Sequence, residues 1–318
     1  MSTQIKTKTR EKIHQTLDGG LPSLVGNTPL LPLRKISKHL PPHVHLQAKA
    51  EWFNPSGSVK DRPALNIILK ALESGALSGG KHLLDSTSGN MGIAYATFGA
   101  ALGIPVTLAL PSNVSQERRQ ILQALGAELI LTDPREGTDG ALQKAQALSK
   151  QEPDRYFYAN QYDNPANWQA HYQTTGPEIL RQTRGGITHF IAGLGTSGTL
   201  MGVGRYLREK KPRVKIIGIQ PDGPLHGVEG LKHMASAIRP GIYDPSLADR
   251  IIPVSTEDAQ RMVRRLSAEE GYFVGLSAGA AAVAALKMGE EVEGGEIVTL
   301  FPDAGFKYLS DEDIWIQG

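Results

Sequence analysis

The sequence predicts an α/β protein of two doubly wound domains with mostly parallel sheets. Two observations predict this class, and a third sets its size. Strand-like and helix-like segments alternate from about residue 43 onward. The alternation comes in two runs, with a break near Asn160 to Asn167. The chain has 318 residues, 40% of them hydrophobic, which suits one large or two medium domains with real cores.

The elements follow in order. HVHLQAKAE (43–51) reads as a strand. PALNIILKALESG (63–75) has helical apolar spacing and stops at Gly75. HLLDS (82–86) is a short strand and NMGIAYATFGAALG (90–103) a small-residue helix. PVTLALP (105–111) and ELILTD (128–133) are strands, followed by the helices SQERRQILQALGA (115–127) and GALQKAQALSKQ (140–151). YFYAN (156–160) is a strand, and a longer helix follows Asn164.

The second run repeats the rhythm. THFIAGLG (188–195), VKIIGIQP (214–221), RIIPVS (250–255) and EIVTLFPD (296–303) are strands. TSGTLMGVGRYLREKK (196–211), TEDAQRMVRRLSAEEG (256–271) and SAGAAAVAALKMGEE (277–291) are helices. The stretch between Asp222 and Arg250 is rich in Gly and Pro and reads as a long functional loop. The expected division is a smaller, partly mobile domain at 54–165 and a larger one from 1–53 and 166–318.

Composition removes several function classes. Lys+Arg number 34 against 32 Asp+Glu, so the net charge of +2 leaves no broad footprint for nucleic acid or an anionic membrane. There is no cysteine, hence no disulfide, thiolate nucleophile, iron–sulfur ligation or Cys-type zinc site. No apolar run approaches the roughly 18 residues of a membrane span. The polar first twenty residues lack a signal-peptide core, so a cytoplasmic protein is expected. His43 and His45 share a strand face without a carboxylate to complete a metal site, and no metal is expected. His171 and His189 lie on regular elements and read as structural.

In such sheets ligands bind where strands lead into helices, and five segments stand out there. NPSGSVKDR (54–62) ends a Gly/Ser turn on Lys60, just ahead of a helix. STSGNMG (86–92) offers hydroxyls and a helix N-terminus, suited to a carboxylate or phosphate or simply to capping. GLGTSGT (193–199) can wrap a phosphate with its backbone N–H groups. It also fits a dinucleotide fingerprint through Gly193, Gly195 and Gly198, with Asp222 at the end of the next strand. In GLSAGAA (275–281) Ser277 caps an alanine-rich helix, and FPDAG (301–305) ends the last strand. A lysine and a phosphate cradle on separate domains suit pyridoxal 5′-phosphate, while the fingerprint leaves an NAD-dependent oxidoreductase open.

Six segments occur in an order that resembles the cysteine synthases, pyridoxal-phosphate enzymes of fold type II related to the tryptophan synthase β chain. They are VGNTPL (25–30), NPSGSVKDR, TSGN (87–90), NQYDNPAN (160–167), GLGTSGT and GLSAGAA. The resemblance runs from about Gly26 to Leu309. GIYDP (241–245) resembles the cysteine synthase B branch.

This resemblance implies a role for each matching residue. Lys60 would carry the cofactor covalently and act as base at the substrate α-carbon. Asn90 would bond the cofactor's 3′-oxygen, and Gly195, Thr196, Ser197, Gly198 and Thr199 its phosphate. Ser277 would meet the pyridine nitrogen. Thr87, Ser88 and Gln161 would bind the substrate carboxylate, with Met91 in the same subsite. The implied reaction is β-replacement on an activated serine, O-acetyl-L-serine, by sulfide or thiosulfate, in a homodimer. Two residues depart from the pattern: Met91 stands where threonine is usual, and Ser86 where proline is. VEG (228–230) matches part of a cystathionine β-synthase motif, so condensation with homocysteine is the alternative.

Overall fold

In the computed structural model, which describes residues 19–87 and 89–315, the chain enters through β1 (Leu30–Pro32) and β2 (Val44–Ala50). There follow α1 (Asp61–Ser74), β3 (His82–Ser86), α2 (Asn90–Leu102), β4 (Val106–Pro111), α3 (Gln116–Ala124), β5 (Glu128–Thr132), α4 (Gly137–Gln151) and β6 (Tyr156–Tyr158). Two helices come next, α5 (Pro165–Gln173) and α6 (Thr175–Gln182). The chain closes with β7 (Ile187–Gly193), α7 (Gly198–Lys210), β8 (Lys215–Pro221), β9 (Arg250–Val254), α8 (Thr256–Arg265), α9 (Leu276–Glu290), β10 (Gly295–Phe301) and α10 (Glu312–Trp315).

These elements form two units. One holds the described residues up to Val25, Asn54–Ser56 and Lys60–Asn167. The other holds Gly26–Phe53, Gly57–Val59 and the chain from Trp168 onward.

The first unit is built on a four-stranded parallel sheet, ordered β5-β4-β3-β6. Its strands read as near-continuous apolar runs because both faces are covered. Successive side chains in a strand point to opposite faces. Leu83 therefore joins the cluster of Leu65, Ile67, Tyr95 and Phe98 from α1 and α2, while its neighbour Leu84 joins Ala141, Ala145 and Leu148 from α4. Helix α1 ends where Gly75 takes a left-handed conformation, φ 80°, and returns its N–H to the Leu72 carbonyl.

The second unit is a six-stranded sheet ordered β1-β2-β10-β7-β8-β9, parallel except for the edge strand β1. The same alternation divides its core. Ile191, Ile217 and Ile297 pack with α8 and α9, and Phe190, Ile216 and Val298 with α6 and α7. Helix α8 is capped by Ser255, which accepts the Asp258 N–H at 3.1 Å. It carries Glu257 and Asp258 in its first turn and Arg264 and Arg265 in its last, in accord with the helix dipole.

Local departures from the expected elements have physical causes. Helix α1 begins at Asp61, two residues ahead of Pro63, because the first turn needs no N–H from its residues. The single helix expected after Asn164 is two, broken where Thr174 leaves helical geometry (φ −125°, ψ −67°). Helix α8 passes into a π turn over Leu266–Glu270 that stops at Gly271. Residues 222–249 form neither helix nor strand, yet Val228, Met234 and Ile242 anchor them in the interior. No helix of the described residues is long and apolar enough to cross a membrane.

Candidate active site

In the first unit, Lys60 stands immediately before α1. Asp61 ties down the turn that delivers it: the Ser56 N–H donates to its carboxylate at 2.6 Å, and the Ser56 hydroxyl donates to the other oxygen. The Lys60 carbonyl accepts the N–H of Ala64 at 3.0 Å, so the lysine backbone belongs to the first helical turn. Gly/Ser content makes the turn possible, and the acid after the lysine fixes it.

The β3–α2 turn carries Thr87, Asn90 and Met91; Ser88 lies outside the described residues. The Thr87 N–H donates to Ala109 at 3.1 Å, and its hydroxyl accepts the Gly89 N–H at 3.3 Å. Asn90 is the first residue of α2, with a half-buried side chain. The Met91 side chain is only 2% exposed and sits in the apolar cluster beneath α2. Gln161 is buried, and its side-chain amide donates to the Ser86 carbonyl at 3.1 Å. The structure thus brings Gln161 beside the Thr87 turn, whereas Met91 packs into the core.

In the second unit, β7 runs out through Leu194 and Gly195 into the N-terminus of α7. Ser197 holds a left-handed conformation, φ 67°, rare for a residue with a side chain and a mark of a constrained turn. A Cβ on Gly195 would stand 2.1 Å from the Gly230 carbonyl oxygen, so no other residue fits there. The Lys232 N–H donates to the Leu194 carbonyl at 2.7 Å, so the long loop is fastened along this turn.

Thr199 pairs with the buried His171, whose Nε2 lies 3.3 Å from the threonine hydroxyl. His171 Nδ1 is 2.9 Å from the Thr175 hydroxyl. Helical position alone made His171 look merely structural; its contact with the turn has no signal in local sequence. Ser277 is the second residue of α9, and the N–H of Gly275 just before that helix donates to the Asp303 carbonyl at 3.2 Å. The Asp303 carboxylate accepts the Tyr308 hydroxyl at 2.7 Å.

Asp85 was not singled out by the motifs. It is the penultimate residue of β3, fully buried, and accepts the Ser86 N–H at 2.9 Å and the Gln161 N–H at 3.3 Å. Burial raises its pKa to about 7 against the lowering effect of those two N–H groups and of the nearby Tyr95 hydroxyl. Its only signal in the sequence is an acid at the end of a buried strand run.

A family profile described as pyridoxal-phosphate dependent enzyme matches residues 21–303. A cysteine synthase of Aquifex aeolicus is 53% identical over 292 residues, covering 90% of this chain and 89% of that protein. The chain belongs to the cysteine synthase family of pyridoxal-phosphate enzymes. Cysteine synthase B of Salmonella typhimurium is 41% identical, covering 91% of this chain and 94% of that protein. The crystal structure of a cysteine synthase from Entamoeba histolytica superposes with a TM-score of 0.90 at 38% identity, over 94% of this chain and 91% of that one. Both units thus belong to a pyridoxal-phosphate enzyme of fold type II.

The residues present fit the cofactor this family uses. The turn leads straight into the N-terminus of α7, the kind of helix start that receives a phosphate. The turn carries no side chain larger than threonine, and Gly195 leaves no room for one. The dinucleotide reading of Gly193, Gly195, Gly198 and Asp222 gives way to this family. Asp222 is exposed, and its N–H continues the strand ladder to Val254.

Proposed function

We propose that this protein replaces the acetate of O-acetyl-L-serine with sulfur at the β-carbon, giving L-cysteine from sulfide and S-sulfo-L-cysteine from thiosulfate. The observation that carries this reading is the 53% identity to a cysteine synthase across 90% of the chain. Pyridoxal 5′-phosphate supplies the electron sink that makes the substrate α-proton removable.

Lys60 holds the cofactor through its amine. With the substrate bound, the Lys60 amine would accept the α-proton as acetate leaves the β-carbon. When sulfur has added at the β-carbon, the Lys60 ammonium returns a proton to the α-carbon. Gly195, Thr196, Ser197, Gly198 and Thr199 bind the phosphate, and His171 orients Thr199. Asn90 bonds the 3′-oxygen. Ser277 meets the pyridine nitrogen with a hydroxyl instead of a carboxylate, so the ring gains no proton there and elimination is favoured over transamination. Thr87, Ser88 and Gln161 bind the substrate carboxylate. The family resemblance also supports a homodimer working in the cytoplasm.

O-acetylserine is preferred over O-phosphoserine in this reading. The loop after β8 carries Asp222, and its His226 is kept neutral near pH 7 because burial, with His233 nearby, lowers its pKa. A phosphate leaving group bears nearly two negative charges, and within PDGPLHG (221–227) its only candidate cation is this neutral histidine, Lys232 and Arg239 lying farther along the loop. Product analysis and kcat/KM with acetylserine, phosphoserine and serine, each with sulfide, thiosulfate or homocysteine, test the reading. The highest kcat/KM is expected for acetylserine with a sulfur anion. A higher value for phosphoserine overturns the leaving-group assignment, and a higher value with homocysteine overturns the nucleophile.

A further inference from the structure

We propose that Asp85 is a positioning residue for the amino-acid substrate, its carboxylate holding Gln161 and the Ser86–Thr87 turn in the geometry that receives the substrate carboxylate. This inference rests on the reading of Thr87 and Gln161 as substrate contacts. It adds a residue outside the motifs and a mechanism for its action.

Geometry makes the case. One carboxyl group joins two chain segments far apart in sequence: it accepts N–H groups from Ser86 at the exit of β3 and from Gln161 after β6. Those strands are neighbours in the sheet, with Leu84 opposite Tyr158. Gln161 closes the loop by donating from its side chain to the Ser86 carbonyl, and its own carbonyl accepts from Asn167 at 2.8 Å. Asp85 therefore sets the backbone of Gln161, and through it the direction of the side chain beside Thr87.

Among the described residues, no cation is found with the groups that act on Asp85. Tyr95 faces it from α2, Tyr158 from β6 and Tyr162 from the following turn. The Tyr95 hydroxyl acts electrostatically and does not meet hydrogen-bond geometry. All three phenols are pushed up by burial first and by Asp85 second, Tyr162 to about 12, so they stay neutral. Asp139 acts on Tyr162, and Asp163 on Tyr158, in the same direction. A buried acid in such a place costs stability in its ionised form. The ionised form is also the one that grips two N–H groups most strongly. Asp85 thus trades stability for a fixed turn, and its grip strengthens as pH rises through about 7.

The test compares wild type with Asp85→Asn, which keeps the shape and removes the titration. At pH 8.5 the variant should raise KM for the amino-acid substrate about tenfold with kcat little changed, as loss of a charge-assisted hydrogen bond predicts. At pH 5.5, where wild-type Asp85 is itself protonated, the KM ratio should fall toward one. Asp85→Glu should recover part of the pH 8.5 affinity. Amide hydrogen exchange at Gln161, read without turnover, should be faster in Asp85→Asn than in wild type at pH 8.5. A KM ratio independent of pH, or a KM lowered by Asp85→Asn, overturns the proposal. Gln161→Ala separates the two readings. If it raises KM at all pH values, the substrate site stands and Asp85 is judged on its own ratio. If it leaves KM unchanged, the substrate-site reading falls and the role of Asp85 with it. Should Asp85→Asn not fold, the wild-type pH profile decides. Loss of an inflection near pH 7 in log(kcat/KM) on the wild-type enzyme then overturns the proposal, and its presence, with affinity higher on the alkaline side, upholds it.

Discussion

Met91 follows Asn90 in a segment that otherwise matches the family, and sequence comparison placed it in the substrate subsite. Its side chain instead shares the apolar cluster of Leu83, Phe98 and Leu108 and is 2% exposed. The residue's type was legible; the apolar cluster it joins, with members from α1, β3, α2 and β4, was not. Met91→Thr should therefore lower stability by about 1–3 kcal/mol, through lost apolar contacts and a buried hydroxyl. Urea unfolding of the two proteins measures this. Unchanged stability together with tighter amino-acid binding would show that position 91 opens on the substrate. Lys60 presents another case: local chemistry alone left it a turn lysine ahead of a helix, and the family resemblance singled it out. The acid that fixes its turn, Asp61, is the next residue in the chain.

At the scale of elements, regular periodicity was easy to read and irregular backbone was not. The long loop at 222–249 was recognisable as a loop from its Gly and Pro residues. Its attachment to the β7–α7 turn, through Gly230 against Gly195 and Lys232 on Leu194, is a tertiary fact with no local pattern. That attachment also explains why the fingerprint GLGTSGT was ambiguous. Glycine at 195 answers a neighbouring carbonyl, and a phosphate loop of either cofactor class would show the same letters. Gly195→Ala must displace either the turn or Gly230, since its methyl would lie 2.1 Å from that oxygen. The variant should keep its helical circular dichroism and bind pyridoxal 5′-phosphate at least about tenfold more weakly, one hydrogen bond's worth of misplaced donors. Titration of the cofactor-free protein measures it, and wild-type affinity would show that the turn does not hold the phosphate. The break at Thr174 had a local signal, Gly176 and Pro177 just beyond it, which the expectation of one long helix passed over.

For the molecule as a whole, alternation of strands and helices was enough to give two parallel α/β sheets. Pairs such as Leu83 and Leu84 or Ile216 and Ile217 then distribute each sheet's core over its two faces. The antiparallel edge strand β1 and the assignment of Gly57–Val59 to the second unit were not legible. The second depends on Val59 donating to Pro302, a pairing between remote segments. Global stability should carry the signature of Asp85. Its pKa is raised from 3.8 to about 7 on folding, so the native state holds the proton more tightly than the unfolded chain. The associated stabilisation is full below about pH 3.8 and is lost as pH rises through about 7, a change of at most about 4 kcal/mol. Thermal unfolding of wild type and Asp85→Asn between pH 5 and 8 isolates this contribution from the other acids. The variant should gain stability relative to wild type as pH rises, and a constant difference would contradict the assignment.

We propose that one lysine at the head of α1, Lys60, carries the pyridoxal-phosphate cofactor for cysteine synthesis. Borohydride reduction of the cofactor-loaded protein, followed by peptide mass mapping, tests it most directly. A single reduced pyridoxyl adduct is expected on the peptide containing Lys60, with loss of both adduct and cysteine formation in Lys60→Ala. An adduct on another lysine, or cysteine formation that persists in Lys60→Ala, would contradict it.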